Sequence, residues 1–225
     1  MHSNMKKTFI SIVMLMACAF GNAQETYHPT AENLKARKEF QDEKFGIFLH
    51  WGLYSMMGVG EWVMTNKDIH YKEYPKLAET FYPSAFDADE WVKEIKASGA
   101  KYITITTRHH DGFSLFKTAT GKYNVVDGTP FKRDIIKELA DACHRHGIKL
   151  HLYYSHLDWG REDYPQGRTG LGTGRPKEKA NWASYYNFMN TQLTELLTHY
   201  GPVGAIWFDG WWDHDSDPKP FDWEL

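Results

Sequence analysis

Tyr102-Ile103-Thr104-Ile105-Thr106-Thr107 runs directly into Arg108-His109-His110-Asp111-Gly112-Phe113. The first six residues are rich in β-branched side chains and read as a strand. The next six are polar, titratable and turn-forming. Three other segments repeat this change of character. Phe45-Gly46-Ile47-Phe48-Leu49-His50 reads as a buried strand leading into Trp51-Gly52. Ile148-Lys149-Leu150-His151-Leu152-Tyr153-Tyr154 leads into Ser155, and Val203-Gly204-Ala205-Ile206-Trp207-Phe208 into Asp209-Gly210-Trp211-Trp212.

Helical stretches separate these strands. Asp87 and Glu90 form a capping-box-like start for a helix that Gly99 stops. Asp134 starts a second, with Ile135, Ile136, Leu139 and Ala140 on one face and Gly147 as its stop. A third runs from about Asn181 to His199 and ends at Gly201. Strands alternating with helices of this length imply βαβ units and a parallel sheet. Two insertions follow strand C-termini, residues 51–86 and 156–179. The second carries Gly167, Gly170, Gly172 and Gly174 among charges and reads as a mobile loop. Binding loops of parallel α/β folds gather at that end of the sheet.

The chain has 225 residues, 42% hydrophobic and 24% charged, enough to bury a core. Its net charge of −3 argues against nucleic acid as a partner, because phosphate binding needs a surplus of Lys and Arg on one face. Lys6 and Lys7 precede the apolar run Phe9 to Phe20, and Gly21-Asn22-Ala23 sets small residues at a cleavage site. Residues 1–23 are therefore expected to be a secretory signal peptide, whose apolar part is too short for a membrane span. The expected location is secreted or periplasmic. Lipid attachment through Cys18, in an imperfect lipobox, is a weaker alternative. Without Cys18 the chain keeps one cysteine, Cys143, which cannot close an internal bridge.

Polar and aromatic groups at four successive strand ends would converge on one pocket mouth. Adjacent strand residues point to opposite faces, so His109 and His110 could reach one ligand only where the strand ends or bulges. Asp209, between an apolar run and Gly210, could cap the next segment or act as a nucleophile or base on a rigid element. Nine Trp, thirteen Tyr and thirteen Phe would suit a sugar platform, although most aromatics are core. Glycoside cleavage needs one carboxylate under the anomeric carbon and a second carboxyl to protonate the leaving oxygen.

The stretches Phe45 to Gly52, Glu61-Trp62, His109 to Phe113, Tyr153-Tyr154-Ser155 and Ile206 to Gly210 together resemble the retaining α-L-fucosidase family of glycoside hydrolases. The resemblance implies a (β/α)8-like barrel, of which about the first half is present here, in residues 24–225. It implies exo-acting release of terminal α-L-fucose from a fucosylated oligosaccharide or glycoconjugate, with net retention. Position by position, Asp209 matches the nucleophile. His50, His109, His110 and Glu61 match hydroxyl-binding groups, Trp62 a pocket wall, and Tyr153 the tyrosine near the nucleophile, with Tyr154 as the alternative if the register differs by one. The chemistry calls for no metal or organic cofactor.

Only four strands are legible, whereas such a barrel uses about eight. The family's acid/base carboxyl lies beyond the nucleophile strand, so the chain is expected to be truncated before it and inactive alone. The other readings are a non-catalytic fucose-binding remnant and a different retaining barrel glycosidase. A calcium-loop match at Asp213, Asp215, Asp217 and Glu224 fails because Pro218 stands where the loop needs glycine.

Overall fold

The structure, a computed structural model, describes residues 28–214. The expected signal segment with Cys18, and all of the acidic 213–224 pattern except Asp213, lie outside them. Four strands form one parallel sheet: β1 (Gly46–Leu49), β2 (Tyr102–Arg108), β3 (Lys149–Ser155) and β4 (Ala205–Asp209), side by side in chain order. The register sets Ile47 beside Ile103, Ile103 beside Leu150, and Ser155 beside Asp209.

Consecutive parallel strands need long crossovers, and helices supply them. Between β1 and β2 lie a short helix α2 (Val63–Asn66) and the longer α3 (Ala88–Ala97). Helix α4 (Ile135–His146) joins β2 to β3, and α5 (Trp182–Thr198) joins β3 to β4. The N-caps are the expected ones. Asp87 accepts from the backbone N–H groups of Asp89 and Glu90, Asp134 from Lys137, and Asn181 from Ser184. Gly147 ends α4 in the left-handed conformation. A strictly sequential parallel order with a helix between each strand and the next is the pattern of consecutive βα units in a barrel.

Ile103, Ile105, Leu150 and Leu152 alternate along β2 and β3, which puts them on one face of the sheet. They belong to one buried apolar cluster with Val92 of α3, Ile136 and Leu139 of α4, and Leu196 of α5. Each such side chain, fully buried, contributes about 1.5–3 kcal/mol.

Three features depart from the sequence reading. The strands β1 and β4 are not buried: Phe48 is 38% exposed, Trp207 56% and Phe208 41%. Among the described residues they are the outer strands of a four-stranded sheet, each with a neighbour on one side only. The glycine-rich segment 156–179 is packed rather than open, with Trp159, Tyr164, Thr173 and Arg175 buried. Trp159 Nε1 donates to Thr169 Oγ1 at 2.9 Å, and the Tyr71 N–H donates to the Thr173 carbonyl at 2.8 Å. Helix α1 (Ala31–Glu43) was not anticipated. It is mostly polar, with Leu34 and Phe40 half exposed, buries no residue, and begins with Thr30 Oγ1 accepting from the Asn33 N–H at 3.2 Å.

Candidate active site

The end of β2 explains how two adjacent histidines share one pocket. Thr106 pairs with Tyr153, but Arg108 pairs with Tyr154, so Thr107 is an extra residue. This bulge turns the chain, and the strand stops at Arg108 before either histidine. Both conditions set by the period-2 rule are met. The His109 and His110 rings then lie 4.1 Å apart, at 47° to one another.

Beneath them Arg108 is wholly buried. It pairs with Asp158, donates to the Ser155 carbonyl at 2.8 Å, and reaches Tyr185 Oη at 3.3 Å. After the histidines, buried Asp111 accepts from Tyr74 Oη at 2.9 Å and from the Phe113 N–H at 3.1 Å. Burial pushes its carboxyl up to about 6. These contacts hold the His109-His110 turn from both sides.

On β3 and β4, Tyr153, Ser155, Trp207 and Asp209 share one face, since 153 pairs with 207 and 155 with 209. Tyr153 Oη donates to Asp209 Oδ2 at 2.7 Å. Tyr154, on the other face, donates to Gln192 of α5 instead. The register thus selects Tyr153. Asp209 Oδ1 accepts from the Gly210 N–H at 2.6 Å and from Trp212 Nε1 at 2.9 Å. Gly210 has φ +94, and a Cβ there would lie 2.6 Å from that of Leu157, so glycine is needed beside the carboxylate.

The remaining expected residues surround this centre. His50 lies with its ring 5.5 Å from His109 and 5.6 Å from Tyr153, and the Glu61 charge acts on it. Trp62 stacks on Trp212 at 5.6 Å and meets the His110 ring edge-on at 5.7 Å. Three aromatic groups were not assigned from sequence: Trp212, Trp159 and Tyr54, the last 5.4 Å from His109. Trp212 had a legible signal. It stands three residues after Asp209, where one turn of the Trp211–His214 3₁₀ helix brings it back over the carboxylate.

The histidines are neutral. Burial holds His109 well below the usual imidazole range. Burial first, then the Arg108 charge, pushes His110 down to about 3. His50 is exposed by comparison; desolvation lowers it, while Glu61 and Asp209 oppose that shift. One atom each of His109, His110 and Asp209 lie within 4.8 Å of one another, close enough for three ligands of a cation. Hydrogen bonds already occupy His110 Nδ1 and both Asp209 oxygens. What the arrangement offers is a fixed carboxylate beside neutral groups that can donate or accept from neighbouring hydroxyls.

The family described as Alpha-L-fucosidase matches residues 14–224. The chain belongs to the α-L-fucosidase family. It is 37% identical over 207 residues to human plasma α-L-fucosidase, covering 82% of this chain and 42% of that one. With a putative α-L-fucosidase of Caenorhabditis elegans it shares 32% over 212 residues, covering 85% and 42%. Among solved structures, α-L-fucosidase isoenzyme 1 of Paenibacillus thiaminolyticus superposes with TM-score 0.72 at 38% identity, over 78% of this chain and 43% of that one. The α-L-fucosidase AlfC of Lactobacillus casei, in complex with α-L-fucose product, gives 0.72 at 34%, over 78% and 62%. The chain thus spans less than half the length of the curated fucosidases named here. Its four parallel strands and the helices between them are the N-terminal part of the fucosidase catalytic domain, a partial α/β barrel.

Proposed function

We propose that the protein to which this chain belongs is an exported, exo-acting α-L-fucosidase that cleaves terminal α-L-fucose from glycans by double displacement with retention. The observation that carries the reading is Asp209, held at the end of β4 by three hydrogen bonds from Tyr153, Gly210 and Trp212 among neutral histidines. Three donors fix the orientation of its oxygens, which places the group on a rigid element as a nucleophile requires.

In this reading an Asp209 oxygen attacks C1 of the fucosyl unit. The C1–O bond to the leaving sugar breaks, its electron pair goes to the leaving oxygen, and a carboxylic acid protonates that oxygen. Water, deprotonated by the same carboxyl, then attacks C1 and frees Asp209. The acid is assigned to none of the residues gathered around Asp209; we place it outside residues 28–214. His50, His109, His110 and Glu61 read the sugar hydroxyls, and Trp62 with Trp212 walls the pocket. Export rests on the charge and hydropathy pattern of residues 1–23.

The test is hydrolysis of an aryl α-L-fucoside by the full-length protein, with the first-formed anomer followed by proton NMR. Release of the α-anomer is expected. Release of the β-anomer would overturn retention, and hydrolysis of the aryl galactoside alone would overturn the substrate.

A further inference from the structure

Ser155 closes the Tyr153-Tyr154-Ser155 stretch, and its side chain has no role above. It is fully buried and sits beside Asp209 in the β3–β4 register. Its Oγ has two close partners, the Leu157 carbonyl at 2.6 Å and His110 Nδ1 at 2.7 Å. A carbonyl oxygen only accepts, so the single hydroxyl proton of Ser155 goes to Leu157. The other contact must then run the opposite way, with Nδ1–H donating to Oγ.

Resting on the fucosidase reading, we propose that Ser155 is a positioning residue: it locks His110 in the Nδ1–H tautomer, so that Nε2 faces the pocket as an acceptor for a sugar hydroxyl.

Two further observations fit this direction. Burial and the Arg108 charge keep the ring neutral, and a neutral imidazole with Nδ1–H carries its lone pair at Nε2. Nε2 stands 3.6 Å from Asp209 Oδ2, longer than a hydrogen bond, as expected of two acceptors facing each other. The relay is also rigidly held. Leu157 is buried against Gly210, the His156 N–H donates to the Asp209 carbonyl at 2.7 Å, and the His110 ring is flanked by Trp62, Trp159 and Trp212.

The consequence is a division of labour between two acceptors. A hydroxyl has one proton. A sugar hydroxyl that gives it to Nε2 cannot also give it to Asp209 Oδ2, which keeps that carboxylate oxygen less encumbered. Replacing that hydroxyl by fluorine, which cannot donate, would set two acceptors against each other.

The test uses full-length protein with ¹⁵N-labelled histidine, compared with Ser155→Ala and Ser155→Thr, by NMR of the ring nitrogens and by aryl fucoside kinetics. The wild-type His110 ring should show a protonated Nδ1 and a bare Nε2. Ser155→Ala should move the proton toward Nε2 and lower kcat/KM by about 10-fold or more, with Ser155→Thr restoring both. A wild-type ring protonated at Nε2 would overturn the proposal even if Ser155→Ala does not fold. So would a Ser155→Ala protein with unchanged tautomer and unchanged kcat/KM. If the wild-type protein leaves the fucoside intact, the fucosidase reading fails, and the tautomer is still decided by the nitrogen spectrum alone.

Discussion

Tyr153 Oη donates to Asp209 Oδ2 at 2.7 Å across two neighbouring parallel strands. The contact follows from register alone. Ser155 pairs with Asp209, so the residue two places earlier in β3 shares its face. Replacing Tyr153 by Phe keeps the ring, which stacks on His109 at 5.3 Å and 7°, and removes the donor. A hydrogen bond to a charged group is worth about 1.5–3 kcal/mol, so kcat for an aryl fucoside should fall roughly 10- to 100-fold with little change in KM. Steady-state kinetics checks this; an unchanged kcat would remove Tyr153 from the account.

Trp212 supports the other oxygen. Trp212→Phe keeps an aromatic ring against Trp62 but loses the Nε1 donor at 2.9 Å from Asp209 Oδ1. A fall in kcat of about 10-fold is expected, measured on the same substrate. A rise in KM alone would mean that Trp212 acts only as a wall.

The ion pair of Arg108 with Asp158 is buried beneath the histidines. Asp158→Ala leaves the guanidinium buried without its counter-charge and frees the Gly160 and Arg161 N–H groups that Asp158 Oδ1 accepts. Breaking such a pair costs about 3–5 kcal/mol. Thermal unfolding should show a large loss of Tm. A shift within error would mean that the pair is not closed in the folded protein.

Acid should destabilise the fold. In the folded protein burial holds His110 near 3, His156 near 4 and His109 well below the imidazole range, whereas in the unfolded chain all three titrate near 6.5. Between these limits the unfolded state binds more protons, so stability is fully present above about pH 6.5 and is lost as pH falls. Asp111 opposes this. Its folded value near 6 exceeds the unfolded one, so between about pH 6 and 4 the native state takes that proton first. Three histidines against one carboxyl leave a net loss of roughly 2–3 kcal/mol per pH unit near pH 5. Tm measured from pH 7 to pH 5 should fall; a rise would contradict the neutral-histidine pocket.

The strand–helix rhythm, the three N-caps and the convergence of strand ends were legible because they depend on neighbours in sequence. The clustering of His109 with His110 was legible as a condition, and the bulge at Thr107 fulfils it. The edge exposure of β1 and β4 was not legible, since hydrophobic residues in a strand do not say whether it has one neighbour or two among the described residues. The packing of segment 156–179 was hidden because its glycines and charges lack periodicity. Trp159 meets the rings of Trp62 and His110, and Tyr164 Oη donates to Asp213, all outside the segment. Ser155 was visible as a residue but silent as a function, because its role depends on the carbonyl of Leu157 and the ring of His110 meeting at one oxygen.

Asp209 as the nucleophile is the central claim. The most direct measurement is peptide mapping by mass spectrometry after the full-length protein meets a 2-fluoro-fucosyl donor with an activated leaving group. The account predicts one fucosyl ester, on the peptide that contains Asp209, absent from Asp209→Ala. Labelling of a different carboxylate, or labelling that survives Asp209→Ala, would contradict it.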